Sequence, residues 1–177
     1  MVRESRRSQR LMAFQVLYSQ EFQSCASLEE LKHAFTSVPW FVSELDGGED
    51  EDVREFRRVF LASQDEEAAG SGSKTDPGGF GWELVSGIWL KRDELDAVIA
   101  HFAKNWRLDR LGRAELNILR MGTYEMLYRD DIPPRVTINE ALELDKQFGD
   151  PRSSSFVNGI LDAVCKAIEK HEISRRD

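Results

Sequence analysis

The sequence has few of the residues that build catalytic or metal centres. It contains only two cysteines and three histidines among 177 residues. Cys25 and Cys165 lie far apart, and His33, His101 and His171 show no metal-ligand spacing. A disulfide scaffold and a zinc site are therefore excluded. We expect two reduced, buried thiols, no metal and no cofactor.

Motifs of catalysis and of membrane insertion are also missing. The chain has no CxxC, HExxH or GxxxxGK[ST] segment, and no apolar run approaches the ~18–20 residues that span a bilayer. The opening MVRESRRSQR lacks the apolar core of a secretory signal. We therefore expect a non-enzymatic, cytoplasmic protein without a membrane partner.

Negative charge dominates, but it is distributed unevenly. The formal net charge is −8, yet residues 44–67 alone hold ten acids against three arginines. The first ten residues hold four arginines against one glutamate. Because association is steered by local fields, the global charge does not exclude a nucleic-acid partner.

Apolar residues recur at steps of three and four, which predicts helices, and no segment alternates as a strand does. The predicted helices cover 5–22, 27 to just before Pro39, 52–63, 80–106 with a bend near 91–93, 109–129, 137–149, and a last one after Pro151. The predicted fold class is all-α, a single compact domain of about seven helices over residues 1–177.

Local signals refine these limits. Ser27 with Glu30, and Thr137 with Glu140, match the capping-box pattern, and Pro133–Pro134 should stop the preceding helix. Four glycines and a proline in 63–79 predict a flexible connection, with an acidic, glycine-rich insertion at about 64–79. The tail HEISRRD is expected to fray.

The most specific binding signal is the arginine-rich start. Arg3, Arg6, Arg7 and Arg10 follow the spacing i, i+3, i+4, i+7, so on a helix they share an arc of about 100°. Guanidinium groups bind phosphate oxygens in pairs of hydrogen bonds, so this stripe suits a nucleic-acid backbone. The alternative is an exposed basic end that only improves solubility.

Longer segments carry a resemblance. RRSQRLMAFQVLYSQE (6–21), LGRAELNILRMGTYEML (111–127), PRVTINEALELDKQFG (134–149) and FVNGILD (156–162) resemble the NusB family of bacterial transcription antitermination factors. The resemblance covers about half of the chain. Residues 40–80 match poorly, and the acidic stretch and the glycine loop within them are expected to be a lineage insertion. It implies an all-helical fold of two small bundles.

The resemblance also implies a function. Members act without catalysis as RNA-binding adaptors that bind single-stranded boxA RNA of rRNA leader transcripts together with the ribosomal protein NusE. That pair joins NusA, NusG and RNA polymerase and supports rRNA synthesis.

Carried over by position, the resemblance gives a set of site residues. The predicted RNA-binding set is Arg3, Arg6, Arg7, Arg10, Tyr18, Arg152 and Phe156, and the predicted NusE side is Glu115 and Arg120. Tyr18 and Phe156 are the candidate platforms for base stacking, although both could equally be core residues. Glu140 and Gly159 are interpreted as structural, Gly159 through close helix contact.

Other functions remain open from the sequence. A NusB-like domain can be an accessory part of an rRNA methyltransferase, but this chain shows no α/β segment for S-adenosylmethionine. A protein–protein module, or a homodimer that masks the RNA surface, is also possible. The acidic 44–67 stretch could compete with RNA for the arginines.

Overall fold

The computed structural model describes residues 5–22, 24–36, 78–103 and 111–176, and every regular element within these ranges is a helix. They are α1 (Arg6–Ser19), α2 (Leu28–Thr36), α3 (Phe80–Leu90), α4 (Arg92–Phe102), α5 (Arg113–Tyr128), α6 (Pro134–Phe148) and α7 (Ser154–Glu169). The all-α prediction is confirmed. The predicted helix at 52–63, most of the 64–79 segment and Arg3 lie outside the described residues.

The chain divides into two compact units, Met1–Ser86 and Gly87–Asp177. The division falls inside α3. This agrees with the expectation of two small helical bundles.

The first unit is built on α1, α2 and the start of α3. Ser5 caps α1, since its Oγ accepts a hydrogen bond from the Ser8 amide at 3.2 Å. The apolar stripe of α1 then becomes fully buried, with Phe14 at 0% and Leu17 at 4% exposed. Phe35 of α2 meets Trp82 of α3 with ring centroids 5.6 Å apart. The apolar spacing seen in the sequence is thus the core face of this unit.

The predicted capping box at Ser27 is confirmed. Ser27 Oγ accepts from the Glu30 amide at 3.2 Å, and the Glu30 carboxylate accepts from the Ala26 amide at 2.8 Å. The Ser27 bond satisfies a first-turn amide that has no helical partner, and the Glu30 bond holds the residue that precedes the cap.

In the second unit α5 is central and packs against α4, α6 and α7. Its middle is buried all round, which is typical of a helix enclosed by others. At Gly122 an added Cβ would lie 2.7 Å from Leu161 Cδ2. Glycine is therefore what lets α7 approach α5 so closely.

The second predicted capping box is wrong. α6 begins at Pro134, so Thr137 lies within the helix, 2% exposed, and its hydroxyl donates to Glu125 Oε2 at 2.9 Å. Proline at the first helical position needs no amide partner and already has helical φ. The pair Pro133–Pro134 therefore starts α6, and α5 has already ended at Tyr128.

The other helix limits agree more closely. The predicted bend near 91–93 is a break at Lys91 between α3 and α4. Gly149 ends α6 as predicted, although its φ of −88° is not left-handed. α5 begins after Gly112 and not at 109, since Leu111 and Gly112 are not helical.

The expectation of a frayed tail is also wrong. The Glu172 amide bonds back to the Ala167 carbonyl, and the Arg176 amide donates to the Leu127 carbonyl at 2.8 Å. The Arg176 guanidinium also pairs with Glu94. His171 makes this reversal with a positive φ of 57°. The tail therefore packs back on α4 and α5.

Candidate nucleic-acid interface

Three described arginines form the start of α1, and we refer to Arg6, Arg7 and Arg10 as the N-terminal arginine cluster. Arg6 and Arg7 are exposed, whereas Arg10 is only 5% exposed. The arginine stripe predicted from the sequence therefore passes from exposed to buried along the helix. Its first turn meets solvent, and its second turn enters the core.

Phe80 holds two members of this cluster. The guanidinium carbons of Arg6 and Arg10 lie 5.2 and 5.1 Å from the centroid of the Phe80 ring. Such cation–π contacts are worth about 0.5–1 kcal/mol when exposed and roughly 2 when desolvated. Arg10 therefore serves the fold, which corrects its prediction as an exposed phosphate ligand.

The start of α1 is unusually positive. No acid lies in its first turn, where Arg6 and Arg7 stand. The amide end of a helix carries a partial positive charge that ordinarily favours acids. Two exposed guanidinium groups at that end oppose helix stability and strengthen the attraction for an anion.

Tyr18 is not an exposed platform. Its side chain is 7% exposed and stacks on Phe14 with centroids 5.6 Å apart, while Phe22 meets it edge-on at 5.3 Å. An aromatic ring needs an open face to stack a base. The core interpretation of Tyr18 therefore holds in this structure.

The second predicted binding segment is the loop Gly149–Ser153, which we call the α6–α7 loop. Arg152 extends from it with 91% of its side chain exposed. Its Nε and Nη2 donate to the two carboxylate oxygens of Asp150 at 3.0 and 3.2 Å. This bonding lowers the pKa of Asp150 and raises that of Arg152. The positive charge predicted at Arg152 is thus offset by its neighbour.

Phe156 lies in the first turn of α7, next to Val157, which is fully buried. Phe156 itself is half-buried. Because part of the ring reaches the surface, it keeps the geometry that a stacking role requires.

The two residues predicted to face NusE are both internal. Glu115 is 6% exposed and its Oε1 accepts from the Asp150 amide at 2.7 Å. Arg120 is 3% exposed and donates to both carboxylate oxygens of Asp96 at 2.7 and 2.8 Å. Both side chains already serve contacts within the fold, and the predicted NusE contacts stay predictions. Glu115 anchors the α6–α7 loop, and Arg120 joins α4 to α5.

Neither cysteine forms a disulfide, and burial raises the pKa of both the Cys25 and the Cys165 thiol. Over the part of the chain that the structure describes, no group of three His, Cys, Asp or Glu side chains is arranged to hold a metal ion. Within the same part, no helix has the length and apolar character needed to cross a bilayer.

The sequence reasoning missed Asp145. This α6 residue is 1% exposed, and its two carboxylate oxygens accept from Ser153 Oγ at 2.7 Å and Ser154 Oγ at 2.6 Å. The available signal was an acid directly after the core residue Leu144, followed by three serines after the helix end.

Known proteins agree with this architecture. The model of the NusB family matches residues 41–166. A transcription antitermination protein NusB from Nitratidesulfovibrio vulgaris is 44% identical over 172 residues, which is 97% of this chain and 95% of that protein. Both matches extend over residues 41–80.

Solved structures show the same fold. T. maritima NusB superposes with a TM-score of 0.64 at 30% identity, covering 97% of this chain and all of that one. A structure of antitermination factors NusB and NusE in complex with dsRNA gives a TM-score of 0.57 at 24% identity, covering 92% and 96% of the two chains. At that identity the second match bears on the fold alone.

Together the helices and these matches define an all-helical protein of the transcription antitermination class. The chain belongs to the NusB family.

Proposed function

We propose that this protein is a non-enzymatic RNA-binding adaptor of transcription antitermination. It binds single-stranded boxA RNA of rRNA leaders together with NusE, and the pair joins NusA, NusG and RNA polymerase in the cytoplasm. The observation that carries the RNA-binding part is the exposed pair Arg6 and Arg7 at the positive end of α1. The family membership supports the rest.

The chemistry of the surface suits RNA better than a small molecule. An RNA strand needs a positive track for its phosphates and part-exposed planar groups for its bases. Within the first unit, Arg6 and Arg7 are exposed cations suited to phosphates. Within the second unit, taken by itself, Arg152 is an exposed cation and Phe156 is a half-buried ring. Arg3 remains in the proposal as a member of the stripe that lies outside the described residues.

A requirement for NusE follows from the small number of cations. Roughly two to four phosphate contacts give weak, salt-sensitive binding to a single strand. A partner that binds both the protein and the same RNA raises the affinity through effective concentration.

The test is fluorescence anisotropy of labelled boxA RNA titrated with this protein, with NusE, and with both. We expect weak binding by either protein alone and at least about tenfold tighter binding by the pair. An RNA of equal length and scrambled boxA sequence is the control. Equal binding of both RNAs, or no gain from NusE, would reject the proposal.

A further inference from the structure

Asp145 occupies a position where a carboxylate is costly. It lies on α6 among core residues and is 1% exposed, between Leu144 and the end of the helix. A buried charge persists only where hydrogen bonds compensate its lost hydration. The compensation here comes from the residues that open α7.

The geometry forms a clamp on the α6–α7 loop. One carboxylate oxygen accepts from Ser154 Oγ at 2.6 Å, and the other lies 2.7 Å from Ser153 Oγ, which shares its single proton between Asp145 and the Asp150 carbonyl at 2.6 Å. These are short, charge-assisted bonds of the stronger kind. Ser153 and Ser154 stand at the start of α7, where a negative charge also favours the helix dipole.

Gly149 is shaped to fit this clamp. A Cβ added at Gly149 would lie 2.3 Å from Asp145 Oδ1, so a side chain there would displace the carboxylate. Its φ of −88° is open to any residue. Glycine is therefore present for space rather than for an unusual backbone conformation.

The clamp determines where Arg152 stands. The loop is fixed on one side by Asp145 and on the other by Glu115, which accepts from the Asp150 amide. Asp150 in turn accepts from the amide and the guanidinium of Arg152. Arg152 is thus the exposed end of a hydrogen-bonded chain that begins at a buried carboxylate.

We propose that Asp145 is a positioning residue for RNA binding, which holds the α6–α7 loop so that Arg152 and Phe156 face the strand. This inference rests on the proposed function. Asp145 does not touch RNA. It acts by reducing the number of conformations that the loop must lose on binding.

Two variants separate geometry from charge. Asp145→Asn keeps one oxygen that accepts a hydrogen bond and gains an NH2 group that donates one. One serine hydroxyl can donate to the oxygen, and the other can accept from the NH2 group. The clamp therefore survives without its charge. Asp145→Ala loses the charge and the clamp together. If only charge mattered, both variants would bind RNA more tightly, because a negative group has been removed.

We expect Asp145→Ala to weaken boxA binding about three- to tenfold, the order of one lost phosphate contact, and Asp145→Asn to stay within about twofold of the wild type. Adding Asp145→Ala to Arg152→Ala should cost less affinity than Asp145→Ala costs alone, because the Arg152 contact is already lost and only the positioning of Phe156 remains to be affected. Asp162→Ala, which removes an exposed carboxylate paired with Lys166 on α7, is the matched control.

Amide hydrogen exchange tests the clamp independently of RNA. In Asp145→Ala the amides of Arg152, Ser153 and Val157 should exchange on the order of tenfold faster, while those in the middle of α5 remain protected. Unchanged exchange at the loop would overturn the inference whatever the RNA result. Faster exchange with unaltered RNA affinity, in a protein that binds boxA, would overturn the positioning role. Failure of the wild type to bind boxA would instead reject the proposed function.

Discussion

At the scale of single residues, several charged side chains are used inside the fold. Arg10, Glu115 and Arg120 look like surface residues in a list of charges, yet each is buried against a specific partner. A sequence pattern gives the helical phase of such residues. It does not show which neighbouring helix supplies the carboxylate or the ring that makes burial tolerable.

The Arg152–Asp150 pair leads to a prediction at this scale. Asp150→Asn should raise boxA affinity about threefold and steepen its salt dependence, because Arg152 then keeps only the bonds to the one remaining carbonyl oxygen, loses its Nη2 bond and no longer has its charge offset. Anisotropy across a salt series measures both effects.

Asp131 provides the matched control. It bonds the Arg129 guanidinium at 2.9 Å in an exposed pair two residues apart, like that of Asp150 and Arg152. We expect Asp131→Asn to leave RNA binding unchanged. Equal gains from the two variants would mean that only net charge matters and that Arg152 has no specific role.

At the scale of helices, the sequence predicted which segments are helical better than it predicted the residues at which each helix begins and ends. The apolar spacing of α1 and α7 was enough, because their buried residues follow one stripe. The start of α6 was placed at the wrong residue because two signals overlapped. Thr137 and Glu140 have capping-box spacing, but Pro134 can begin a helix three residues earlier.

Two glycines within helices, Gly159 and Gly122, distinguish the effect of helix packing from the effect of helix propensity. Gly159 was expected to permit close helix contact, but it is exposed, and an added Cβ would meet nothing within 4 Å. That interpretation is wrong. Gly159→Ala should raise the free energy of unfolding by about 0.5–1 kcal/mol, because alanine restricts the unfolded chain and favours the helix.

Gly122→Ala is the counterpart within α5. Its Cβ would lie 2.7 Å from Leu161 Cδ2, and Leu161 is fully buried. We expect a net loss of roughly 1 kcal/mol, since overpacking of about 1–3 kcal/mol exceeds the helical gain. Urea unfolding of both variants measures the contrast. If both substitutions changed the free energy of unfolding in the same direction, the described surroundings of the two glycines would be wrong.

At the scale of the whole molecule, the net charge of −8 does not indicate the proposed RNA binding. An acidic protein can bind an anionic strand when its arginines are grouped, because local potential governs the encounter. The grouping at the N-terminus could be predicted from the sequence. The burial of Arg10 and the offset of Arg152 could not, since Phe80 lies seventy residues from Arg10 in the chain and only folding brings them together.

Arg6 and Arg7 are proposed to bind the phosphates of the RNA. The most direct test is the salt dependence of boxA binding by the Arg6→Ala, Arg7→Ala double variant. Far-UV circular dichroism of the variant checks that α1 remains helical. An Arg135→Ala, Arg175→Ala variant removes two exposed arginines of the second unit as the control. We predict that the N-terminal variant binds at least about tenfold more weakly, with the slope of log K against log salt reduced by about 1.4, or 0.7 for each single-strand contact. An unchanged affinity and slope, with helicity intact, would contradict the account.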